Sequence, residues 1–410
     1  MPTDTVRSIR SVAGTDGSSG DRRPRRAFVA CALALFVLIV GTNLPSPLYA
    51  VWAHQFGFAP VVLALIFATY AGVLIPALLV AGSLADRFGY RPVLLVGLAV
   101  AAVGTVVFAY ADAAGWLFLA RALQGAAVGI SSGALTAALL RTEPHGNAQK
   151  ASLMASLATT AGGGLGPVLA GACAGWLPAP TRMCFLIEAG SLGVAGVGLL
   201  ALPARLGRSS GARWRVSLPR LPAAHRDEFR WACATGFTGW AVTAVFLSIV
   251  PTYVRTLTGN ADLLLAGVAA GLLLLVAAAV QPLGVRAGAA ALQAAGMIAL
   301  AVGTVLLLLA GRSGLLSLVI TAAAVAGVGQ GLAFMGAVRA ANDAAHTGVH
   351  AAVISTFYVC AYVGVGVPVV GVGLLATVTS TTAAVDVFAL VALAASLVVA
   401  AAHLRRRQRC

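Results

Sequence analysis

Long apolar runs, each separated from the next by a short polar segment, cover most of the chain. A helix needs about 20 mostly apolar residues to cross a hydrocarbon core of about 30 Å, and the runs reach that length. Backbone groups in lipid have no water partner, so the runs are predicted to be helices. We place twelve of them at residues 27–50, 61–83, 91–111, 115–140, 149–174, 182–203, 231–254, 262–283, 287–310, 314–338, 350–376 and 381–403.

Three polar segments bound or divide these runs. Residues 1–26 are predicted to be a disordered cytoplasmic tail and residues 404–410 a basic cytoplasmic tail. Residues 204–230 carry seven arginines and two prolines, and are predicted to be a cytoplasmic linker, with a short amphipathic surface helix as the alternative. The chain is therefore divided into an N-terminal six-helix bundle at 27–203 and a C-terminal six-helix bundle at 231–403.

The composition agrees with helices in lipid. Hydrophobic residues make up 60% of the chain and charged residues 10%, and the mean hydropathy is +0.95. A soluble domain of this size would not hide so much apolar surface, which excludes the soluble classes of protein. The fold class predicted is an all-α integral membrane protein.

The basic residues fall mainly on one side of the predicted membrane. The net charge of +15 would by itself suit nucleic acid. With twelve spans and the N-terminus inside, however, 23 of the 27 Lys and Arg lie in cytoplasmic segments. This asymmetry follows the positive-inside rule, so the charge reports topology and contact with anionic lipids, and no nucleic-acid partner is expected.

One lysine against 26 arginines suggests a GC-rich bacterial genome, so we expect a multi-pass protein of the bacterial plasma membrane with both termini cytoplasmic.

Features of the first half recur about 200 residues later. Glu188 has a counterpart in Asp386, and the Gly162–Pro167 motif has one in Gly364–Pro368. A duplicated six-helix unit leaves such an offset. The two bundles are therefore predicted to be pseudo-symmetric.

The segment Gly82-Ser-Leu-Ala-Asp-Arg-Phe-Gly-Tyr-Arg-Pro92 places three charges and two glycines between two apolar runs. It resembles the G-x-L-x-D-R-x-G-R-[RK]-P loop of the major facilitator superfamily of secondary transporters. The resemblance implies two bundles around a central cavity and a conformational gate in which Asp86 meets the N-terminal dipole of the eleventh span. Arg87 and Arg91 would then pair with an acid, for which Glu143 is the candidate. The implied gate residues are Gly82, Asp86, Arg87, Gly89, Arg91 and Glu143.

The fourth span contains Arg121, followed by Gln124 and Gly125, and resembles the second signature of the superfamily. Arg121 lies about 9 Å inside the membrane at about 1.5 Å per residue. A guanidinium in hydrocarbon needs a partner or water. Two interpretations stay open: the side chain faces the cavity and couples to protonation, or it extends to the outer interface.

The fifth span carries a glycine-rich motif with one proline. Small residues one turn apart allow another helix to pack closely, and the proline permits a bend. The motif resembles the helix-five signature of drug and proton antiporters in the superfamily, although such packing serves any helix pair. Its residues are Gly162, Gly166, Pro167 and Gly171.

Two acids lie inside predicted helices, Glu188 in the sixth span and Asp386 in the twelfth. Glu188 begins about as deep from the outer face as Arg121, so the geometry allows an ion pair between them. All three are proton-coupling candidates. In the superfamily, the sixth and twelfth helices usually lie at the periphery, which favours a packing or interface role for both acids.

Seven side chains are candidates for the substrate cavity, and each also suits helix packing: Asn43, Tyr70, Gln124, Trp240, Gln330, Phe334 and Tyr358. Such a cavity would be mostly apolar, which suits amphipathic organic compounds and not sugars. The sequence contains no nucleotide-binding loop, no spaced nucleophile and base, and no metal-type cysteine spacing. We therefore predict no enzyme activity, no cofactor and no metal.

The resemblance implies a transporter that works by alternating access, and we expect it to work as a monomer. The first interpretation is proton-coupled export of small lipophilic compounds, such as drugs or secondary metabolites. The alternative is a facilitator or proton symporter that imports a small metabolite or nutrient.

Overall fold

The computed structural model describes residues 22–81, 84–204, 206–207, 226–259, 262–345 and 350–407. Within these ranges the chain is almost entirely helical and contains no strand. Two 3₁₀ segments, Ser46–Leu48 and Gln281–Arg286, follow the first and eleventh α-helices. The α-helices are α1 (Arg22–Asn43), α2 (Tyr49–Phe56), α3 (Pro60–Ala81), α4 (Leu84–Phe88), α5 (Tyr90–Ala109), α6 (Ala114–Thr142), α7 (Ala148–Trp176), α8 (Pro180–Leu199), α9 (Arg226–Ser248), α10 (Val250–Thr258), α11 (Leu263–Val280), α12 (Ala289–Ser313), α13 (Leu316–Asp343), α14 (His350–Val378) and α15 (Thr381–Arg407).

Twelve segments in the described ranges are long and apolar enough to cross a membrane. They coincide with the twelve predicted runs, so the predicted number of spans is confirmed. Short connections make successive spans antiparallel. The beginning of α1 and the end of α15 therefore share one face, here called the terminal face, and the short helices α2 and α10 lie at the opposite, distal face.

Several helix ends differ from the prediction. α1 begins at Arg22 rather than at residue 27, so the end of the predicted disordered tail is helical. α9 begins at Arg226 within the predicted linker, and acidic residues in its first turn stabilise a helix N-terminus. α15 continues to Arg407, into the predicted basic tail. Arginine is a good helix former, so these helices continue beyond their apolar part. The rest of the tails, residues 1–21 and 408–410, and linker residues 208–225 lie outside the described ranges.

The first span of each half is broken near the distal face, which the apolar pattern does not indicate. α1 ends at Asn43, before Pro45 and Pro47, and the chain becomes helical again in α2. α9 ends at Ser248, and Pro251 lies in the first turn of α10. Proline lacks a backbone N–H and clashes with the preceding turn. Each half therefore contributes a short, separate helix to the distal face.

The outward surface is apolar. Val194 and Val378 are 69% and 79% exposed, and Trp176, at the distal end of α7, is 81% exposed. Exposed valines are expected of a surface that contacts lipid, and exposed tryptophan is enriched at the level of the lipid headgroups. The surface therefore agrees with a multi-pass membrane protein.

Two helix pairs join the halves, α3 with α14 and α7 with α11. At the distal end of the first pair, the Val61 N–H donates to Thr377 Oγ1 at 3.1 Å. Gly373 lies so close to α3 that an added Cβ would meet Ala64. The halves are therefore in direct contact on the distal side in this conformation.

Candidate functional site

Arg121 of α6 lies at the centre of a ring of aromatic side chains. The side chain is 1% exposed. The guanidinium carbon is 5.3–5.9 Å from the ring centres of four residues, Tyr49, Phe67, Tyr70 and Phe108. Rings at this distance attract a cation through their negative faces. The side chain thus points into the bundle and does not extend to the outer interface.

The same guanidinium is hydrogen-bonded to α1 close to its break. Nη1 donates to the carbonyl of Thr42 at 2.5 Å and to Gln124 Oε1 at 3.0 Å, and Nε donates to the Tyr49 hydroxyl. Gln124 Nε2 in turn donates to the carbonyl of Gly41 at 2.9 Å. The last four carbonyls of any helix lack intrahelical partners. Arg121 and Gln124 of α6 therefore bind carbonyls at the C-terminal end of α1.

Glu188 is not paired with Arg121, and the expected ion pair is absent from the described residues. The Glu188 side chain is 5% exposed and packs on α1, so that a Cβ added to Gly41 would lie 2.6 Å from Glu188 Oε1. Arg121 Nη1 donates to the carbonyl of Thr42, the residue after Gly41, while Arg121 Nη2 is buried without a hydrogen-bond partner. The two groups therefore contact neighbouring residues of α1 rather than each other.

Asp386 of α15 contacts the other broken span. Its Oδ1 atom and the hydroxyl of Tyr253 in α10 both lie against Gly311 of α12, within 3.0 Å of the position of an added Cβ. Both polar atoms are buried and have no hydrogen-bond partner in the structure. Glu188 and Asp386 thus have related positions, because each abuts the first span of its own half.

The second half contributes an aromatic cluster from α9, α13 and α14. Trp240 packs edge-on against Phe334 at 5.5 Å, and its ring centre is 6.5 Å from that of Tyr362. Phe357 and Tyr358 continue the cluster, and Tyr362 also packs against the apolar core of the first half. The cluster gathers three predicted cavity residues, which are Trp240, Phe334 and Tyr358.

Sequence reasoning missed Phe357 and Tyr362. Tyr362 lies four residues after Tyr358 and therefore on the same face of α14, and this spacing was the available signal. A tyrosine carries a polar tip on an apolar body. In the middle of an apolar span it suits the wall of an amphipathic site.

The remaining predicted cavity residues occupy helix contacts. Asn43 donates to the carbonyl of Ile39 at 3.1 Å and to Thr42 Oγ1 at 3.0 Å, and Gly166 of α7 packs against it. Gln330 is 3% exposed, lies against Gly239, and its Oε1 atom has no hydrogen-bond partner. Tyr70 and Gln124 belong to the surroundings of Arg121.

The glycine-rich helix α7 is packed between both halves. Gly162 and Gly166 lie against backbone carbonyls of α1, while Gly164 and Gly171 lie against the backbone of α11. Pro167 lies inside α7, and its carbonyl faces Gly267 of α11. Small residues let helix backbones approach closely in lipid, so this face of α7 fixes how the halves meet.

We expect Gly171→Ala to slow transport strongly and to lower the unfolding temperature by a few degrees. The added Cβ would lie 2.4 Å from the carbonyl oxygen of Leu263, which the helix backbone cannot easily move, and overpacking of this kind costs about 1–3 kcal/mol. Gly175→Ala is the matched control, because Gly175 is on the same helix and an added Cβ there meets nothing within 4 Å. Equal behaviour of the two variants in transport and thermal unfolding would contradict the interface.

A polar contact joins α7 and α11 nearer the terminal face. Ser156 Oγ donates to Gln281 Oε1 at 2.8 Å, and Gln281 Nε2 donates to Thr160 Oγ1 at 3.0 Å. Gln281 is 2% exposed, and hydrogen bonds between buried groups are specific to one arrangement of the helices.

Part of the predicted gate is described. Gly82 lies outside the described residues, as does the side chain of Asp86. Gly89 has φ +90° at the start of α5, a conformation that side chains disfavour, so the turn requires glycine. The guanidinium of Arg87 lies 5.1 Å from the ring centre of Phe88.

Glu143 has partners other than Arg87 and Arg91 in this conformation, and its pairing with them in the opposite state stays a prediction. The backbone turns back after α6, so the N–H groups of His145 and Asn147 donate to Glu143 Oε2 at 2.8 and 2.7 Å. Lys150 Nζ donates to Oε1 at 3.1 Å. These contacts, first that of the Asn147 N–H, lower the pKa of Glu143 to about 2, and the carboxylate fixes the α6–α7 turn.

Wild type is expected to be more stable than Glu143→Gln by a margin that shrinks as the pH falls from about 5 towards 2. A carboxyl group whose pKa is lowered by folding stabilises the protein above its unfolded value of 4.5, and the contribution is lost as pH falls towards 2. Thermal unfolding of both proteins across this range checks the prediction. A margin that stays constant as the pH falls from about 5 towards 2 would show that the carboxylate does not fix the turn.

Known proteins resemble the whole chain. The sequence model of a family described as Major Facilitator Superfamily matches residues 31–367. The solved structure of the nucleoside transporter NupG has a TM-score of 0.72 at 12% identity, and the match covers 92% of this chain and 99% of that one. A bacterial homologue of the human lysosomal transporter Spinster, inward-facing and unoccupied, has a TM-score of 0.73 at 14% identity, covering 96% and 99%. Likeness at these identities concerns the fold, and no curated protein sequence matches.

Proposed function

The chain belongs to the major facilitator superfamily, and we propose that it exports small lipophilic compounds in exchange for protons by alternating access between its two halves. Its twelve apolar helices and its family make it a multi-pass membrane transporter. Neither the drug and proton antiporter group nor the direction of transport follows from the fold alone.

The observation that supports the substrate class is the presence of an aromatic cluster in each half. Arg121 and its four rings lie on the side of the first half. The Trp240 to Tyr362 cluster lies on the side of the second half. Ligand sites with aromatic walls and few polar groups hold amphipathic molecules, and tyrosine hydroxyls supply occasional polar contacts.

Proton coupling rests on Glu188 and Asp386. Each is an acid within the apolar part of its helix, and Glu188 packs against α1, while Asp386 lies near Tyr253 of α10. Ionisable groups within a membrane bundle are expensive to bury and are typically functional. A proton bound by either acid would neutralise its charge next to a helix break. We propose that the broken helix moves there between the two conformations of the transporter.

The rival proposal is import of a small metabolite. It fits the structural likeness as well, since the similar structures are named as a nucleoside transporter and a homologue of a lysosomal transporter. A nucleoside-like substrate calls for several paired polar groups in the cavity. The aromatic clusters of the two halves contain few such groups, which favours lipophilic compounds as substrates.

The loop that contains α4 is proposed as the gate on the terminal face. α4 packs against α3 and α5 in this conformation. The family resemblance places Asp86 at the N-terminus of α14 in the opposite state, so the group would favour one state only. A ligand or charge that stabilises both states equally does not shift the equilibrium between them.

We propose that the terminal face is cytoplasmic in a bacterial plasma membrane. Cysteine introduced at Asp343, on the terminal face, should react with a membrane-impermeant maleimide only from the cytoplasmic side, while cysteine at Asp112 should react only from outside. The basis is the positive-inside distribution of arginine. The same labels on the chain with its native cysteines alone provide the background, and labelling of position 112 from the cytoplasm would overturn the orientation.

The export proposal is tested in an exporter-deficient bacterial host. Cells that express the chain should accumulate less of a lipophilic dye and grow at higher concentrations of lipophilic inhibitors than cells with an empty vector. An uncoupler should abolish both differences, because it removes the proton gradient. Greater accumulation of a nucleoside or other metabolite, without dye efflux, would favour the rival.

A further inference from the structure

A cavity of about 390 Å³ opens between the two halves at the distal face. The first half lines it through Ala50 and Ala53 of α2 and Leu63 of α3, and the second half through Arg255 of α10 and Ala376 of α14. Its volume lies within the range of about 300–1,000 Å³ that is typical of small-molecule sites. The described residues that line the cavity include none of the rings around Arg121 and none of the aromatic cluster of the second half, although Ala50 follows Tyr49 in the chain.

The lining of this distal cavity is apolar with one charge. Most of the lining residues are alanine, leucine, isoleucine, proline and phenylalanine, with Thr252 and Thr381 as polar neighbours. Arg255 is the one charged residue among the described residues that line it. A guanidinium presents a planar fork of donors that matches the two oxygens of a carboxylate. The apolar wall provides space for a hydrophobic body of one or two rings.

We propose that the distal cavity is a second ligand site, which takes a small amphipathic carboxylate and thereby holds the two halves together. The carboxylate binds Arg255 and the apolar body contacts α2 and α3. Such a ligand favours this conformation, because the wall that it fills comes from both halves and separates when the distal side opens. Differential binding to one state shifts the equilibrium towards that state. The site depends neither on the exported compound nor on proton coupling.

The test is calorimetric binding of 2-naphthoate to the purified full-length chain in lipid nanodiscs. The neutral analogue 2-naphthylmethanol has the same ring system and controls for partition into lipid. We expect saturable, one-to-one binding of the carboxylate and at least about ten-fold weaker binding of the alcohol, as expected for loss of a charge-assisted pair. Equal binding of the two compounds, or partition without saturation, would overturn the proposal.

Two substitutions locate the site. Arg255→Gln should weaken binding of 2-naphthoate at least about ten-fold, whereas Arg312→Gln, which removes an exposed arginine of the distal face outside the cavity, should leave it unchanged. Ala53→Phe fills the cavity from the other half and should also abolish binding. If Arg255→Gln does not fold, the proposal is tested by the Ala53→Phe variant and by the comparison of 2-naphthoate with 2-naphthylmethanol. Undiminished binding by a folded Ala53→Phe protein would place the ligand elsewhere.

The transport consequence is measured on the same protein in proteoliposomes. 2-Naphthoate added at the distal side should slow transport in wild type and in Arg312→Gln, and should not slow it in Arg255→Gln. Binding without inhibition would overturn the claim that the ligand holds the halves together. Because calorimetry needs no transported substrate, a failure of the export proposal would leave the binding result intact and distinguishable.

Discussion

Replacement of Arg121 by alanine is expected to reduce transport at least ten-fold in both uphill efflux and downhill exchange. The guanidinium binds the Thr42 carbonyl, Gln124 and the Tyr49 hydroxyl, and alanine leaves these buried groups without their donor. Each buried polar group left unpaired costs about 1–3 kcal/mol. The end of α1 would lose its connection to α6, and both transport modes require that connection. Counterflow and gradient-driven transport in proteoliposomes measure the two modes separately.

The matched variants separate position from charge. Arg121→Lys keeps the charge among the rings but loses the planar fork, so it should also transport poorly. Arg312→Ala removes an exposed arginine of α12 and should transport as wild type does. If a normally inserted Arg121→Ala protein retained wild-type rates in both modes, the ring of aromatic side chains around Arg121 would have only a structural role.

Glu188→Gln is expected to abolish uphill efflux and to spare downhill exchange. The amide is neutral and close in shape to a permanently protonated acid, so the cycle can proceed but can no longer be driven by a proton gradient. The side chain is buried against Gly41, and a neutral group costs less to bury there than a carboxylate. Insertion and thermal stability should therefore be preserved. Dye efflux against its gradient, with and without an imposed pH difference, measures the effect.

Asp386→Asn is the paired control, because Asp386 occupies the related position in the second half. Loss of uphill transport in Asp386→Asn alone would move the proton site to the contact of Asp386 with Tyr253 and Gly311. Uphill transport at the wild-type rate in both variants would remove proton coupling through either acid.

The fold could be predicted because lipid imposes a strong local rule. Twelve apolar runs of sufficient length had to be helices, and the structure agrees. The helix breaks at Asn43 and Ile249 were not predicted, although Pro45, Pro47 and Pro251 stand beside them. A proline in a membrane helix produces either a kink or a break, and neighbouring helices decide between them.

The site was predicted less well because contacts between helices depend on rotation and register. The sequence indicates that Arg121 is buried, but not that four rings surround it or that it donates to the Thr42 carbonyl of α1. The partners of Glu143 in this conformation were not predicted for the same reason, since a local backbone turn offers nearer donors than α4. Tyr362 was missed although it lies four residues after Tyr358, because this spacing indicates a shared helix face but not what that face contacts.

The central claim is that a proton gradient drives export through this chain. Proteoliposomes should hold the purified chain, an imposed pH difference and the dye that is exported in the cell assay, with the pH on each side recorded. We expect the dye to move against its gradient only when protons can flow in the opposite direction, and protons to move when the dye alone is supplied. Dye movement that does not depend on the pH difference and is not accompanied by proton movement would contradict proton-coupled export.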